Sequence, residues 1–277
     1  MLRQRLLTAL IGIPLGLAVI YLGGWYLAAV VTVIAVVGLR EFYRLSGGVR
    51  LVAAAFGYWL CLGMIGGGLL SLDRPEVVLI ALLGPLLFLA AAVLLQPAWR
   101  AIGLQELARD ILATMAGVAY VPTLLAYVLR LRALDPNRIL SGISAGALWL
   151  FLVVGATWVM DIAAYVVGKA IGRHKLCPTI SPGKTIEGAI GGLLGAVAVA
   201  WAMGTWLGLS ATQAVLLGAL LGIGGQAGDL FESLLKRRAG VKDSGTLLPG
   251  HGGVLDRFDS LLFNAPIAYY VIRVFVG

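Results

Sequence analysis

Three side chains of complementary chemistry recur on one helical face near the C-terminal end of a long apolar run: Asp229, Ser233 and Lys236, at i, i+4 and i+7. A carboxylate, a hydroxyl and an ammonium aligned in this way, with Glu232 beside them, can bind a cation or a phosphate where the run ends. Asp229 lies too far into apolar sequence to be a casual surface charge, because a carboxylate within a span is costly and is kept for a partner, a pathway or a ligand. Beyond Lys236 come Arg237 and Arg238, then Lys242-Asp243, a Gly/Pro-rich turn, His251-Gly252-Gly253, and Asp256-Arg257-x-Asp259. This crowding occurs in a chain that is 12% charged and 60% hydrophobic.

A second constellation runs from Met160 to Gly188. Asp161, Tyr165 and Lys169 fall at i, i+4 and i+8 and share a helical face. They fit either a ligand site or an interfacial pair, of Asp161 with Lys169 or with a lipid headgroup. The stretch Ser181-Pro-Gly-Lys-Thr185 invites comparison with a phosphate-binding loop of ATPases, which requires a glycine five positions before Gly183. Pro178 stands there and no apolar strand precedes it, so that reading fails. A flexible turn survives, in which Ser181, Lys184 and Thr185, followed by Glu187 and a glycine-rich helix start, can hold phosphate oxygens near a helix N-terminus. A plain helix-initiating turn capped by Thr185 or Ser181 fits the same residues.

Acidic residues from two helix ends among lysines and arginines suit one task well. Carboxylates hold a divalent metal through oxygen while cations and metal together neutralise a polyphosphate. Magnesium fits such a donor set, since it uses one or two carboxylates and leaves its other positions to phosphate and water. Helix caps in a basic loop would need the same residue types, with Asp256 opening the last helix and Lys236, Arg237 and Arg238 closing the one before it.

The elements that must position these groups are membrane helices. The mean hydropathy is +0.97. Apolar runs at 5–22, 24–40, 51–72, 76–96, 108–131, 144–168, 186–208, 211–235 and 257–276 predict an all-α polytopic protein of about nine spans. The first run follows Arg3 and Arg5 as a signal peptide would, but without a convincing cleavage site it reads as a retained helix. The 277 residues form a single membrane domain, with 1–140 serving packing, lipid access or dimerisation and 141–277 carrying the catalytic loops. Cys61 and Cys177 make neither a disulfide framework nor a metal motif. The formal charge of +8 resides in loops between apolar runs, which favours anionic lipid and anionic substrate over nucleic acid. The basic N-terminus and the 40–50, 169–184 and 236–257 loops fall on one side, cytoplasmic by the positive-inside bias. Arg130, Arg132 and Arg138 violate that bias most strongly. Pairs of glycines spaced by four, Gly191/Gly195, Gly218/Gly222 and Gly224/Gly228, would let helices approach closely, although 38 glycines produce such spacings by chance as well.

The pattern Ser233-x-x-Lys236-Arg237, Lys242-Asp243, Pro249-x-His251-Gly252-Gly253-x-x-Asp256-Arg257-x-Asp259 resembles the signature of the phosphatidate cytidylyltransferases, or CDP-diacylglycerol synthases. The preceding Ser181 to Gly188 loop is also similar to that family's. The resemblance implies a magnesium-dependent membrane enzyme that makes CDP-diacylglycerol and pyrophosphate from CTP and phosphatidic acid. It further implies a homodimer in the bacterial inner membrane, with the active site at the cytoplasmic ends of the C-terminal helices. It points to Asp229 and Asp256 as metal ligands. With the chemistry above, it makes Lys236, Arg237, Lys242 and Arg257 phosphate-binding cations and Asp259 a further ligand or an orienter of Arg257. Ser181, Lys184, Thr185, Glu187, Ser233, Asp243, Asp161, Gly252 and Gly253 complete the candidate substrate site, with His251 contacting substrate or shaping the loop. A phosphate nucleophile is already ionised at neutral pH, so no strong base is required. A CTP-dependent lipid-alcohol kinase would need similar groups, and an ion-coupled transporter could use Asp161 and Asp229, but without need of the dense loop after Lys236.

Overall fold

The computed structural model describes residues 2–69, 103–135, 137–247 and 252–276. Nine helices fall within them: α1 (Leu2–Leu22), α2 (Gly24–Leu45), α3 (Leu51–Leu69), α4 (Leu104–Tyr120), α5 (Pro122–Arg132), α6 (Ala145–Ile171), α7 (Ile186–Trp206), α8 (Ala211–Arg238) and α9 (Leu255–Val276). Two small antiparallel hairpins interrupt them, β1 (Ile139–Leu140) with β2 (Ile143–Ser144) and β3 (Lys175–Cys177) with β4 (Ser181–Thr185). Among the described residues seven helical stretches are long and apolar enough to cross a membrane, with α4 and α5 together making one of them, Gln105–Arg132. The apolar part of α1, Leu10–Leu22, is shorter. The expected run 76–96 lies outside the described residues.

α4 and α5 meet at Pro122, which has no N–H to offer the carbonyl of Val118. Thr123 Oγ1 donates to that carbonyl instead, at 2.8 Å, so the break leaves no orphaned acceptor there. α6 is the central helix: Trp149, Leu150, Leu152 and Val153 are fully buried in one apolar core that extends from Val19 in α1 to Ile272 in α9. α7 packs against α6, α8 against α7, and α9 against α8, so the four C-terminal helices form a continuous stack.

Small residues set the spacing within that stack. A Cβ on Gly218 would lie 2.5 Å from the Val197 Cα, and one on Gly228 would lie 2.5 Å from the Asp259 carbonyl oxygen. The glycine spacings therefore face neighbouring helices, and the approach at Gly228 brings the Asp229 and Asp259 segments together.

The arginines that violate the charge bias have specific occupations. Arg132 donates from Nε to the Ile20 carbonyl (2.9 Å) and from Nη2 to the Tyr21 carbonyl (3.0 Å), closing the C-terminal end of α1. Arg138 donates to the Leu207 carbonyl at 2.9 Å and closes α7. Arg130 stacks over the ring of Tyr127 at 5.1 Å. Helix C-termini carry unsatisfied carbonyls and partial negative charge, so a guanidinium is well suited to them.

Candidate active site

At the opposite end of the stack, α6, the β3–β4 hairpin, α7, α8 and α9 enclose a cavity of about 790 Å³. Its position follows from chain direction, since α6 and α8 end there and α7 and α9 begin there. α6 contributes Asp161, Tyr165 and Lys169 from one face. Lys169 does not pair with Asp161; its ammonium lies over the Tyr165 ring, 5.7 Å from the centroid.

Ser181 to Thr185 is not the expected flexible turn. It is strand β4, held against β3 with Lys175 opposite Thr185 and Cys177 opposite Ser181. Backbone pairing fixes what composition alone, with Pro182 and Gly183, would leave loose. Thr185 is the N-cap of α7, its Oγ1 accepting from the Gly188 N–H at 3.1 Å. Lys184 reaches across to α8, where its Nζ lies 2.6 Å from Asp229 Oδ2. Ser233 Oγ is 3.5 Å from Asp229 Oδ1.

The second cation–carboxylate group is centred on Lys236, about two helical turns beyond Asp229 on α8. Lys236 Nζ is 2.5 Å from Asp256 Oδ1 and 3.2 Å from Oε1 of the fully buried Glu232. The other oxygen of Asp256 accepts from Gly253 N (2.7 Å), Ser244 N (2.9 Å) and Ser244 Oγ (3.0 Å). Asp256 thus lines the cavity and also stitches the loop before α9 to the first turn of that helix. Asp259 takes the Ser260 N–H on Oδ1 at 2.6 Å. Tyr120, Phe231 and Phe263 pack behind these residues, with ring centroids 5.0 Å apart for Tyr120–Phe231 and 5.9 Å for Phe231–Phe263, and tie α8 to α4 and α9.

Most of the candidates converge on this cavity: Asp161, Ser181, Lys184, Thr185, Asp229, Ser233, Lys236, Arg237, Lys242, Asp243, Asp256, Arg257 and Asp259 all line it. Arg237 also braces its rim, donating to the carbonyls of Ile180 and Val241, each at 3.2 Å. Glu187 does not line the cavity; its carboxylate accepts from the backbone N–H groups of Arg173 and His174 and bonds His174 Nδ1 at 2.7 Å, pinning the hairpin to α7. Gly252 and Gly253 sit behind the lining, with Gly252 at φ +80°, a conformation that favours glycine. His251 lies outside the described residues.

Reasoning from sequence missed two groups. Gln226 lines the cavity one turn before Asp229, donating from Nε2 to the carbonyls of Gly222 (2.9 Å) and Ala189 (3.2 Å). Glu41 of α2, from the half of the chain that offered only hydrophobicity, is buried against the loop that precedes α9. The available signal for Glu41 was a lone carboxylate between Arg40 and Arg44 just past the 24–40 apolar run.

Whether these residues suit magnesium can be judged from their chemistry. The donors are all hard oxygens, several carboxylates border one cavity, and Asp229 and Asp256 are each held by a lysine that borders it too. Among the described residues no ready-made cage of three or more His, Cys, Asp or Glu side chains is gathered. Magnesium does not need one, because it commonly keeps waters and substrate phosphates beside one or two carboxylates.

Comparison with known proteins gives a consistent result. Residues 3–275 match the model of the cytidylyltransferase family. The chain is 36% identical over 291 residues to the phosphatidate cytidylyltransferase of Synechocystis sp., covering 97% of this chain and 96% of the relative. It is 40% identical over 164 residues to the phosphatidate cytidylyltransferase of Bacillus subtilis, covering 58% of each. Over 122 residues it is 52% identical to the Staphylococcus aureus protein of that name, covering 43% of this chain and 46% of the relative.

Proposed function

The chain belongs to the cytidylyltransferase family, and from that premise we propose that it transfers the cytidylyl group of CTP to phosphatidic acid, giving CDP-diacylglycerol and pyrophosphate. The observation that carries this reading is one cavity at the ends of membrane helices in which Lys184 and Lys236 hold Asp229 and Asp256, with Arg237, Lys242 and Arg257 on its walls. A triphosphate and a lipid phosphate repel each other, and only a site dense in cations can hold both.

In the reaction a phosphate oxygen of phosphatidate attacks the α-phosphorus of CTP. The bond from that phosphorus to the bridging oxygen of the β-phosphate breaks, and pyrophosphate leaves with the electron pair. The attacking oxygen is already ionised, so the residues need only position and neutralise. Magnesium, held by Asp229 and Asp256 with Asp259 in reserve, would supply charge neutralisation on the triphosphate. Lys184 and Lys236, paired with those carboxylates in the free protein, turn to phosphate oxygens as substrate binds, so no charge is left without a partner. Arg257 and Lys242 bind the remaining phosphate charge, and Arg237 keeps the rim of the cavity in register.

The reading extends to a homodimer in the bacterial inner membrane whose cavity faces the cytoplasm. The orientation is supported by contacts that bring the basic loops to one end: Lys184 with Asp229, Arg237 with Ile180, and Glu41 with Val254. CTP would arrive there from water while phosphatidate stays in its leaflet. Support for the dimer comes from the family resemblance.

The test uses purified protein, phosphatidate, magnesium and CTP labelled on the α-phosphate. The expected result is label in a CDP-lipid, dependent on metal, with release of pyrophosphate. Phosphorylated lipid with CDP would instead identify a CTP-dependent kinase, and absence of any labelled lipid from folded protein would sink the transferase reading.

A further inference from the structure

Glu41 is a buried carboxylate to which the transfer chemistry gives no task. It sits in α2, 4% exposed, and has no ion pair among the described residues. Its oxygens accept from Val254 N (2.9 Å), Leu255 N (2.9 Å) and Ser244 Oγ (3.0 Å). The first N–H groups of a helix have no partner within it, so Glu41 caps α9 from a segment more than two hundred residues earlier in the chain. The fit is close: a Cβ on Gly253 would lie 2.6 Å from Glu41 Oε2.

The same Ser244 hydroxyl stands 3.0 Å from Glu41 Oε2 and 3.0 Å from Asp256 Oδ2, its single proton serving one carboxylate at a time, and Asp256 in turn holds Lys236 at 2.5 Å. A continuous polar chain thus runs from α2 through Ser244 to the cavity. We propose that Glu41 is a positioning residue for cytidylyl transfer, fixing the backbone at Ser244 and at Gly253 to Asp256 so that Asp256 and Lys236 face the substrates. This inference rests on the transferase reading above.

Glu41→Gln tests it with little change of volume. A glutamine keeps one acceptor, but its NH₂ would meet a helix N–H donor to donor, so one backbone group loses its partner. In full-length purified protein, kcat should fall about 100-fold while KM for phosphatidate stays within about threefold, as expected of a group that sets geometry without touching substrate. Tryptic cleavage after the exposed Lys242 should accelerate at least about tenfold, with cleavage after Lys175 in the hairpin unchanged, which reports opening of this loop alone. Ser244→Ala should give a smaller loss of kcat, and the two losses should not multiply in the double variant, because Ser244 links Glu41 to Asp256.

Wild-type kcat and wild-type protection at Lys242 in Glu41→Gln would overturn the proposal. So would equal acceleration at Lys242 and Lys175 with general loss of thermal stability, or a double variant whose losses simply multiply. If wild-type protein makes no CDP-lipid, the transferase reading falls and with it the catalytic part of this inference. Cleavage at Lys242 then still decides whether Glu41 holds the loop.

Discussion

Two ends of one helical stack carry clustered cations and use them differently. At one end Arg132 and Arg138 donate to the carbonyls of Ile20, Tyr21 and Leu207, and Arg130 lies on an aromatic ring. At the other, Lys184 and Lys236 face carboxylates across a cavity, and Arg237, Lys242 and Arg257 line the same space. Cation density is therefore a poor guide to function. What separates the ends is the partner: backbone carbonyls tie a guanidinium to a helix end, whereas a lysine paired with a carboxylate can exchange that partner for phosphate when a metal takes the carboxylate.

Substitutions at the two ends should differ in kind as well as size. Among substitutions the largest effect is expected for Asp229→Asn, which should lower cytidylyl transfer about 1,000-fold, measured as labelled CDP-lipid, in protein that remains monodisperse. Chelation of divalent metal should abolish transfer in wild type and its restoration by magnesium should be complete, with no change in the thermal unfolding of the Arg132 end; activity that persists in excess chelator would break the comparison. Lys236→Met should cost about 100-fold in kcat/KM and about 3 kcal/mol of stability, because it leaves the buried carboxylates of Asp256 and Glu232 without their cation; both are read from kinetics and denaturant unfolding of one preparation. Arg132→Gln should reverse the pattern, losing about 2 kcal/mol of stability while kcat stays within about twofold of wild type. A large kinetic effect of Arg132→Gln would erase the distinction between the ends.

The same contrast explains what the sequence made legible. Helical periodicity gave Asp229, Ser233 and Lys236 a common face, and the cavity receives all three. Long apolar runs are unambiguous because few residues can substitute for them in a membrane, so the helices were readable, with 76–96 and His251 outside the described residues. Strand β4 was not readable, since Pro182 and Gly183 argue locally against a strand and only pairing with Lys175–Cys177 settles it. Glu187 was assigned to substrate because it follows the Ser181 to Thr185 turn at a helix start, yet its oxygens are engaged by Arg173 and His174. Spacing along a chain says where a side chain emerges and not which backbone groups await it. Glu41 shows the limit most clearly, because its partners Ser244, Val254 and Leu255 belong to the far end of the chain.

That separation bears on the order in which the protein is made. α2 leaves the ribosome long before α9, so for most of synthesis the Glu41 carboxylate has none of its three native donors and must be hydrated or otherwise accommodated at the membrane surface. The arrival of Ser244, Val254 and Leu255 satisfies it, which makes their docking on α2 a late step of assembly. A chain interrupted before α9 would keep most of its spans and still be unable to shape the site.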